Sequence, residues 1–427
     1  MSKNKVQAIR GMHDILPNDM IYWHHVENIF HRCMNSYGYQ EICTPILENT
    51  ALFKRGVGET TDIVAKEMYT FLDRNDDSLT LRPEGTASVV RAGIEHSLFY
   101  GQTQRLWYRG PNFRYERPQK GRYRQFYQFG VEAFGMAGPD IDIELLFLTW
   151  RFWQYLGLTK ELTLEINSLG SFAERQQYNI ALIDYFSQYT EKLDTDSQQR
   201  LQRNPLRILD SKNPEIQPLI VAAPKITEFL SEASQLQFAQ ICEALDSMQI
   251  PYKINPCLVR GLDYYCHVVF EWVSNKLGAQ AAVCSGGRYD GLVAQLGGNE
   301  IPAAGFAIGI ERLVLLLKMQ QLSLPSNMAV YLVSVGEAAQ HYALLLAEHI
   351  RDSMPQLTVL NHCGGGSFKS KMKKADKSEA KIALILGDDE MQAKQIGIKY
   401  LRDQRVQDTI AVTDLPTVLQ QIFSEEN

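Results

Sequence analysis

The stretch from Arg105 to Phe134 constrains the fold more than any other part of this chain. Strand-forming residues alternate with polar ones over Arg105–Tyr115 and again over Tyr123–Phe134, and a turn-forming run, Arg117-Pro118-Gln119-Lys120-Gly121, separates them. Successive side chains of a strand point to opposite faces, so the pattern predicts an antiparallel hairpin with two unlike sides. Odd positions supply Tyr123, Tyr127, Phe129, Val131 and Ala133, an apolar set suited to a core. Even positions supply Arg122, Arg124, Phe126, Gln128, Gly130 and Glu132, and Arg114 and Glu116 share a parity on the first strand. One side is thus cationic near the turn and carboxylate-bearing further in. It suits a nucleotide lying flat on a sheet, with a ring to stack on the base, a carboxylate for an exocyclic amine and guanidinium forks for phosphate oxygens. A solvent-facing strand laced with ordinary ion pairs produces the same alternation.

A chain of 427 residues exceeds one compact core, which predicts more than one domain. Helical spacing over 19–37 places Met20, Trp23, Val26, Phe30 and Met34 on one side before Gly38 stops it. Short strands at Leu79–Leu81 and Leu162–Ile166 and helices at Gly85–Glu95 and Ile141–Tyr155 surround the hairpin. From about 172 to 250 Gln, Glu, Ser and Leu dominate with helical spacing, broken by Pro205, Pro214, Pro218 and Pro224, which reads as a helical insertion. Strand character returns at Arg260–Trp272 and Ala281–Ser285, and Gly305–Lys318 closes the domain with a helix. After the linker Leu324-Pro325-Ser326-Asn327, alternating strands and helices predict a small α/β domain over 327–427. The expected organisation is therefore α/β (α+β): an antiparallel-sheet domain over 1–325 with its insertion, then a separate α/β domain.

Seven cysteines stand singly with no Cys-x-x-Cys pair, which argues against a disulfide scaffold and against structural zinc. No apolar run reaches membrane-spanning length and residues 1–7 lack the apolar core of a secretion signal, so cytoplasm is the expected compartment and no membrane partner is implied. A net charge of −6 does not announce a nucleic-acid binder, but a large protein can hold one basic surface within an acidic total. Two stretches are locally basic: Arg105–Arg124, and the segment with Lys369, Lys371, Lys373, Lys374, Lys377 and Lys381. The run Gly364-Gly365-Gly366-Ser367-Phe368-Lys369-Ser370 lacks the glycine before lysine that a phosphate-binding loop requires.

Phe113-Arg114-Tyr115-Glu116, a basic loop, and then Arg122-x-x-x-Phe126 resembles motif 2 of the class II aminoacyl-tRNA synthetases. The resemblance implies that Arg114 contacts the α-phosphate of ATP, Glu116 the adenine amine, Phe126 the adenine face and Arg122 the γ-phosphate. It also implies that Arg117, Lys120 and Arg124 meet the acceptor end of tRNA. Gly38-Tyr39-Gln40-Glu41-Ile42-Cys43-Thr44-Pro45 resembles motif 1, which implies a homodimer, and Gly305–Leu313 resembles motif 3. The helix Ile310–Leu317 is apolar almost all round, so Arg312 at its start needs an anionic partner, since an unpaired buried charge is very costly. That partner is either a nearby carboxylate or, as the resemblance implies, the γ-phosphate of ATP.

Three further segments are similar to the histidyl-tRNA synthetase family of bacterial type. In Leu81-Arg82-Pro83-Glu84-Gly85-Thr86, Glu84 and Thr86 match residues that hold the α-amino group of histidine. Val259-Arg260-Gly261-Leu262-Asp263-Tyr264-Tyr265 and Ser285-Gly286-Gly287-Arg288-Tyr289-Asp290-Gly291 match the two histidine-specific motifs, and Gln128 and Glu132 match the same binding set. Imidazole presents two nitrogens that must be read as donor or acceptor, and a carboxylate such as Glu132 with phenols such as Tyr264 and Tyr265 can satisfy both. A plain aromatic core is the other use of Tyr264-Tyr265. The family resemblance implies that Arg260 approaches the α-phosphate opposite Arg114, with Arg312 completing the catalytic set, and that Arg114, Arg260 and Tyr289 also border the histidine. It implies L-histidine, ATP with Mg²⁺ and tRNA(His) as substrates and partners, with no metal ligand assigned among the side chains. Cys363–Gly387 is similar to the family's anticodon-binding domain, where Lys369 and Lys373 either contact phosphates or form a solvated basic face. A catalytically inactive relative, the histidine-binding regulatory subunit of ATP phosphoribosyltransferase, shares this fold and pocket but typically lacks the anticodon domain.

Overall fold

Helix α1 (Pro17–Ser36) begins where its sequence allows it to: Pro17 supplies the fixed φ of a first helical residue, and Asp19 adds an acidic side chain to the first turn. It buries Trp23, Val26, Phe30, Cys33 and Met34, and Gly38 beyond it takes a φ of 72°. The computed structural model describes residues 6–59, 61–278, 282–322 and 329–424. The chain divides into two compact units, 1–322 and 323–427, and the expected linker Leu324–Asn327 lies outside the described residues.

The first unit is built on an eight-stranded sheet of β1 (Gln40–Glu41), β2 (Gln104–Phe113), β3 (Gln125–Phe134), β4 (Thr163–Ser168), β5 (Tyr252–Ile254), β6 (Cys266–Val273), β7 (Ala282–Arg288) and β8 (Ala303–Gly309). Their spatial order is β1-β2-β3-β8-β7-β6-β4-β5. The six central strands pair antiparallel, while the edge strands β1 and β5 pair parallel with β2 and β4. The hairpin β2–β3 has the register Gln104↔Phe134 through Phe113↔Gln125.

The two faces of the sheet differ as the alternation requires. On one side α1, α2 (Asp140–Leu156) and α3 (Ile310–Met319) cover Trp107, Phe129 and Val131. Phe30 lies parallel to Phe129 at 3.9 Å and meets the edges of Trp107 and Phe152. The opposite side carries Tyr108, Tyr264, Tyr265 and Tyr289 and packs in part against the insertion, through Tyr178, Leu182 and Phe186. The insertion comprises α4 (Phe172–Ser187), α5 (Thr195–Arg203), a short helix Gln217–Ala222 and α6 (Glu232–Ser247). Its first helix opens with a capping box between Ser171 and Glu174.

Two strand expectations are corrected. The segment Arg260–Tyr265 is a loop, and β6 starts only at Cys266. The second hairpin strand begins at Gln125, since the chain at 122–124 is still leaving the turn.

The second unit has a five-stranded sheet, β9 (Ala329–Val335), β10 (Thr358–Asn361), β11 (Ile382–Gly387), β12 (Gln395–Tyr400) and β13 (Asp408–Ala411), in the order β10-β9-β11-β12-β13. Helices Glu337–Ser353, Phe368–Lys377, Asp388–Ala393 and Leu415–Ser424 accompany it. Among the described residues no helix is long and apolar enough to cross a membrane.

Candidate active site

Thirteen residues assigned to ATP or histidine from sequence line one cavity on the polar side of the sheet: Glu84, Thr86, Arg114, Glu116, Arg122, Phe126, Gln128, Glu132, Arg260, Tyr264, Tyr265, Tyr289 and Arg312. They come from the hairpin β2–β3, the start of the helix Thr86–Glu95, the loop before β6, the end of β7 and the start of α3. Tertiary structure alone brings these separated segments together.

One part of the cavity is a buried acid and phenol network. Thr86 Oγ1 donates to Glu132 Oε1 at 2.7 Å, and the Tyr289 hydroxyl donates to Glu132 Oε2. Burial pushes the Glu132 carboxyl up to about 8, against the lowering effect of those two hydroxyls. Glu84, also buried, accepts the N–H groups of Thr86 (2.7 Å) and Ala87 (2.9 Å), the free donors of a helix start. Burial raises the Glu84 carboxyl as well, with these donors opposing it. The rings of Tyr264 and Tyr289 meet nearly edge-on at 5.5 Å. Gln128 Oε1 accepts from Asn112 Nδ2 at 2.8 Å, which orients the Gln128 amide.

The other part is dominated by guanidinium groups. Arg114 donates from Nε to the Pro83 carbonyl at 2.9 Å and lies 5.3 Å from the centre of the Phe126 ring. Arg122 is ion-paired with Glu116, and Arg260 with Glu271. Burial disfavours the charge on Arg260, but Glu271 and the neighbouring tyrosines outweigh it and hold the group above its usual value. Arg312 differs: its donors go to the carbonyls of Gly121 and Ala282, and it forms no ion pair among the described residues. Burial, then Arg122 and Arg114, pushes Arg312 down to about 10. The carboxylate partner allowed for by the sequence is thus not supplied by the described residues, and mutually repelling cations face a space suited to a polyanion.

Sequence reasoning missed several neighbours. Tyr108 and Asn112 share the parity of Arg114 on β2, so the alternation carried that signal. The Tyr108 ring fits where Cβ atoms on Gly85 and Gly130 would come within 2.1 and 2.0 Å of it, which explains glycine at both positions. Glu271 is the single charge in the apolar strand Cys266–Val273, and it pairs in register with Ser285.

Other expected residues lie apart from the cavity. Arg117 and Lys120 are exposed on the hairpin turn. Arg124, expected on the polar face, packs over Tyr115 at 3.8 Å and donates to the Glu116 carbonyl, because β3 has not begun at its position. In the motif Ser285–Gly291, Arg288 is buried and bound to Asp142 at 2.7 Å and Asp290 at 3.0 Å, a structural role, while Tyr289 reaches the cavity. Lys369 and Lys373 are exposed, whereas Lys371 is buried with its Nζ on the Ser334 carbonyl at 2.8 Å.

One potential metal-ligand group stands among the described residues: Cys266, His267 and Asp290, with ligand atoms within 4.8 Å of one another. Burial pushes the Cys266 thiol up to about 12. Asp290 Oδ1 already accepts from Arg288 and from the Ala303 N–H. The guanidinium supplies the positive charge there, and the seven cysteines are free thiols.

A largely antiparallel sheet, helix-backed on one face and bearing this cavity on the other, is the architecture of the class II aminoacyl-tRNA synthetases. A family model described as Histidyl-tRNA synthetase matches residues 11–313, and one described as Anticodon binding domain matches 329–422. The chain belongs to the histidyl-tRNA synthetase family. It is similar to the apo histidyl-tRNA synthetase of S. aureus at 38% identity and a TM-score of 0.81, covering 97% of this chain and 99% of that one. A histidyl-tRNA synthetase from Nostoc sp. PCC 7120 shares the fold at 18% identity and a TM-score of 0.70, covering 98% and 100%. A Bacillus halodurans C protein named as an ATP phosphoribosyltransferase regulatory subunit/histidyl-tRNA synthetase shares it at 23% identity and 0.64, covering 89% and 98%.

Proposed function

We propose that this protein activates L-histidine with ATP to histidyl-adenylate and then transfers the histidyl group to the 3′ end of tRNA(His). The observation that carries the reading is one cavity joining an acid-and-phenol network around Glu132 to four arginines, one of them without an ion-pair partner among the described residues.

Glu132 and Tyr264 receive the imidazole, with Tyr265, Tyr289 and Gln128 bordering it, while Glu84 and Thr86 receive the α-amino group. ATP lies with adenine on Phe126 and its amine on Glu116, and Arg122 and Arg312 take the γ-phosphate. Glu116 and Arg122 form an ion pair, so ATP binding exchanges that pair for contacts with the nucleotide. A histidine carboxylate oxygen attacks the α-phosphorus as the bond to the β-phosphate oxygen breaks, and pyrophosphate leaves. Charge gathers on the α-phosphoryl oxygens, where Arg114 and Arg260 act as fixed electrostatic partners and no enzyme nucleophile is needed. Mg²⁺ would arrive as part of the ATP substrate, and Glu271 is the cavity carboxylate, not otherwise given to a substrate group, that would face it. In the second step a hydroxyl of the terminal adenosine of tRNA attacks the acyl carbon and AMP departs. The second unit takes the anticodon arm, and the segment Gly38–Pro45 forms a homodimer contact.

Pyrophosphate exchange measured with each amino acid in turn tests the reading. Exchange with histidine alone supports it. Exchange with none supports a regulatory role like that in the name of the B. halodurans relative, and exchange with a different amino acid reassigns the substrate.

A further inference from the structure

The segment Val259–Tyr265 carries Arg260, Tyr264 and Tyr265 to the cavity, although it belongs to no strand. Both of its ends are tied to the sheet. Downstream, the His267 N–H donates to Gly170 O at 2.7 Å and the Leu169 N–H donates to His267 O at 2.6 Å. Upstream, Asn167 Nδ2 donates to Leu258 O at 3.0 Å.

Between those ends the bonds come chiefly from the helical insertion. Arg175 on α4 donates through Nη1 to the carbonyls of Asp263, at 3.2 Å, and Tyr265. Asn204, which ends α5, donates through Nδ2 to Asp263 Oδ1 at 2.7 Å. The Asp263 N–H also reaches Val57 O at 3.4 Å. Behind the loop is a cavity of about 210 Å³ whose lining includes Arg175, Asn179, Asn204 and Arg260. Arg260 Nε and the side-chain oxygens of Asn179 and Asn204 are buried without hydrogen-bond partners. Val259, Tyr264 and Tyr265 are packed in the core, so the stretch between them, backed by this polar cavity, takes its position from the few bonds that cross the gap. The same part of the insertion grips a second segment, whose Glu67 interacts electrostatically with Arg114 and Arg122. Arg207 pairs with Asp62 at 2.8 Å at the start of the turn Ile63–Glu67, and the Glu67 carbonyl accepts the Tyr115 N–H.

We infer that Arg175 and Asn204 are positioning residues for Arg260: the helical insertion, through Asp263 and Tyr265, holds the loop that presents this guanidinium to the substrate phosphate. The inference rests on the proposed function, because it is expressed in the adenylation step. An interaction made mainly in the transition state changes kcat and leaves KM nearly alone.

Asn204→Ala and Arg175→Ala should each lower kcat for histidine-dependent pyrophosphate exchange about 10- to 100-fold, since a small misplacement of a reacting group has that effect. KM for ATP and histidine should stay within about threefold, and Arg175→Lys, which keeps a donor, should recover part of the loss. In an Arg260→His background, adding Asn204→Ala should cost less than about threefold, because its route to the chemistry is already cut. Limited trypsin digestion reads the attachment without catalysis: cleavage of the Arg260–Gly261 bond should be at least about fivefold faster in Asn204→Ala than in the parent. Unchanged kcat with unchanged cleavage overturns the inference, and so does an equal loss from Asn204→Ala in both backgrounds. If the parent protein fails to exchange with histidine, the proposed function falls, and the trypsin comparison still decides whether the insertion holds the loop.

Discussion

Replacing Glu132 with glutamine should remove a pH-dependent strain from the folded protein. Glu132 is buried, and burial lifts its carboxyl from 4.5 to about 8. The native state therefore binds a proton that the unfolded chain has released between those values, so this group lowers stability as pH rises through that window. The destabilisation is nearly absent below the unfolded value and complete above about 8. At about 1.4 kcal/mol per pH unit the interval amounts to about 5 kcal/mol, an upper figure because the surroundings of a buried carboxylate relax. Glutamine keeps the shape, carries no charge at any pH, and leaves the Thr86 and Tyr289 hydroxyls able to reorient. A realised difference of about 2–3 kcal/mol corresponds to roughly 4–6 °C in Tm for a unit of this size. Thermal unfolding followed by tryptophan fluorescence suits the measurement, because all five tryptophans lie in the first unit. Without ligands, Glu132→Gln should gain that much on the parent between pH 5 and pH 8.5. An equal Tm difference at both values would refute a buried carboxyl held neutral at Glu132.

Other expectations concern single contacts. Arg260→His should slow pyrophosphate exchange about 100- to 1000-fold while circular dichroism and oligomeric state stay unchanged, and near-normal exchange would remove Arg260 from the chemistry. Gly130→Ala places a methyl group about 2.0 Å from the Tyr108 ring and should cost at least about 2 kcal/mol in urea unfolding; a neutral result would mean that this ring moves freely. Removing 327–427 should damage tRNA charging far more than adenylate formation, and equal loss of both would count against an anticodon-reading second unit. Lys371→Met should lower the stability of the second unit by about 1–2 kcal/mol through the lost bond to Ser334, whereas Lys373→Ala should leave it unchanged.

What the sequence by itself determined was local and periodic. Alternation along 125–134 separates Phe129 and Val131, which enter the core, from Phe126, Gln128 and Glu132, which line the cavity, because a strand has only two faces. Helical spacing likewise located α1 and the insertion, and compact motifs brought out Arg114, Arg260 and Tyr289 together with their resemblance to a family. Tertiary structure decided who meets whom. The pairing of Arg260 with Glu271, the grip of Asn204 on Asp263 and the lack of a carboxylate partner for Arg312 among the described residues join or separate residues from different elements, and no periodicity encodes such distances. It also turned Arg124 away from the face its parity suggested and buried Lys371 among exposed lysines. Parity holds only inside a strand, and a lysine's role depends on whether another element offers its ammonium a carbonyl.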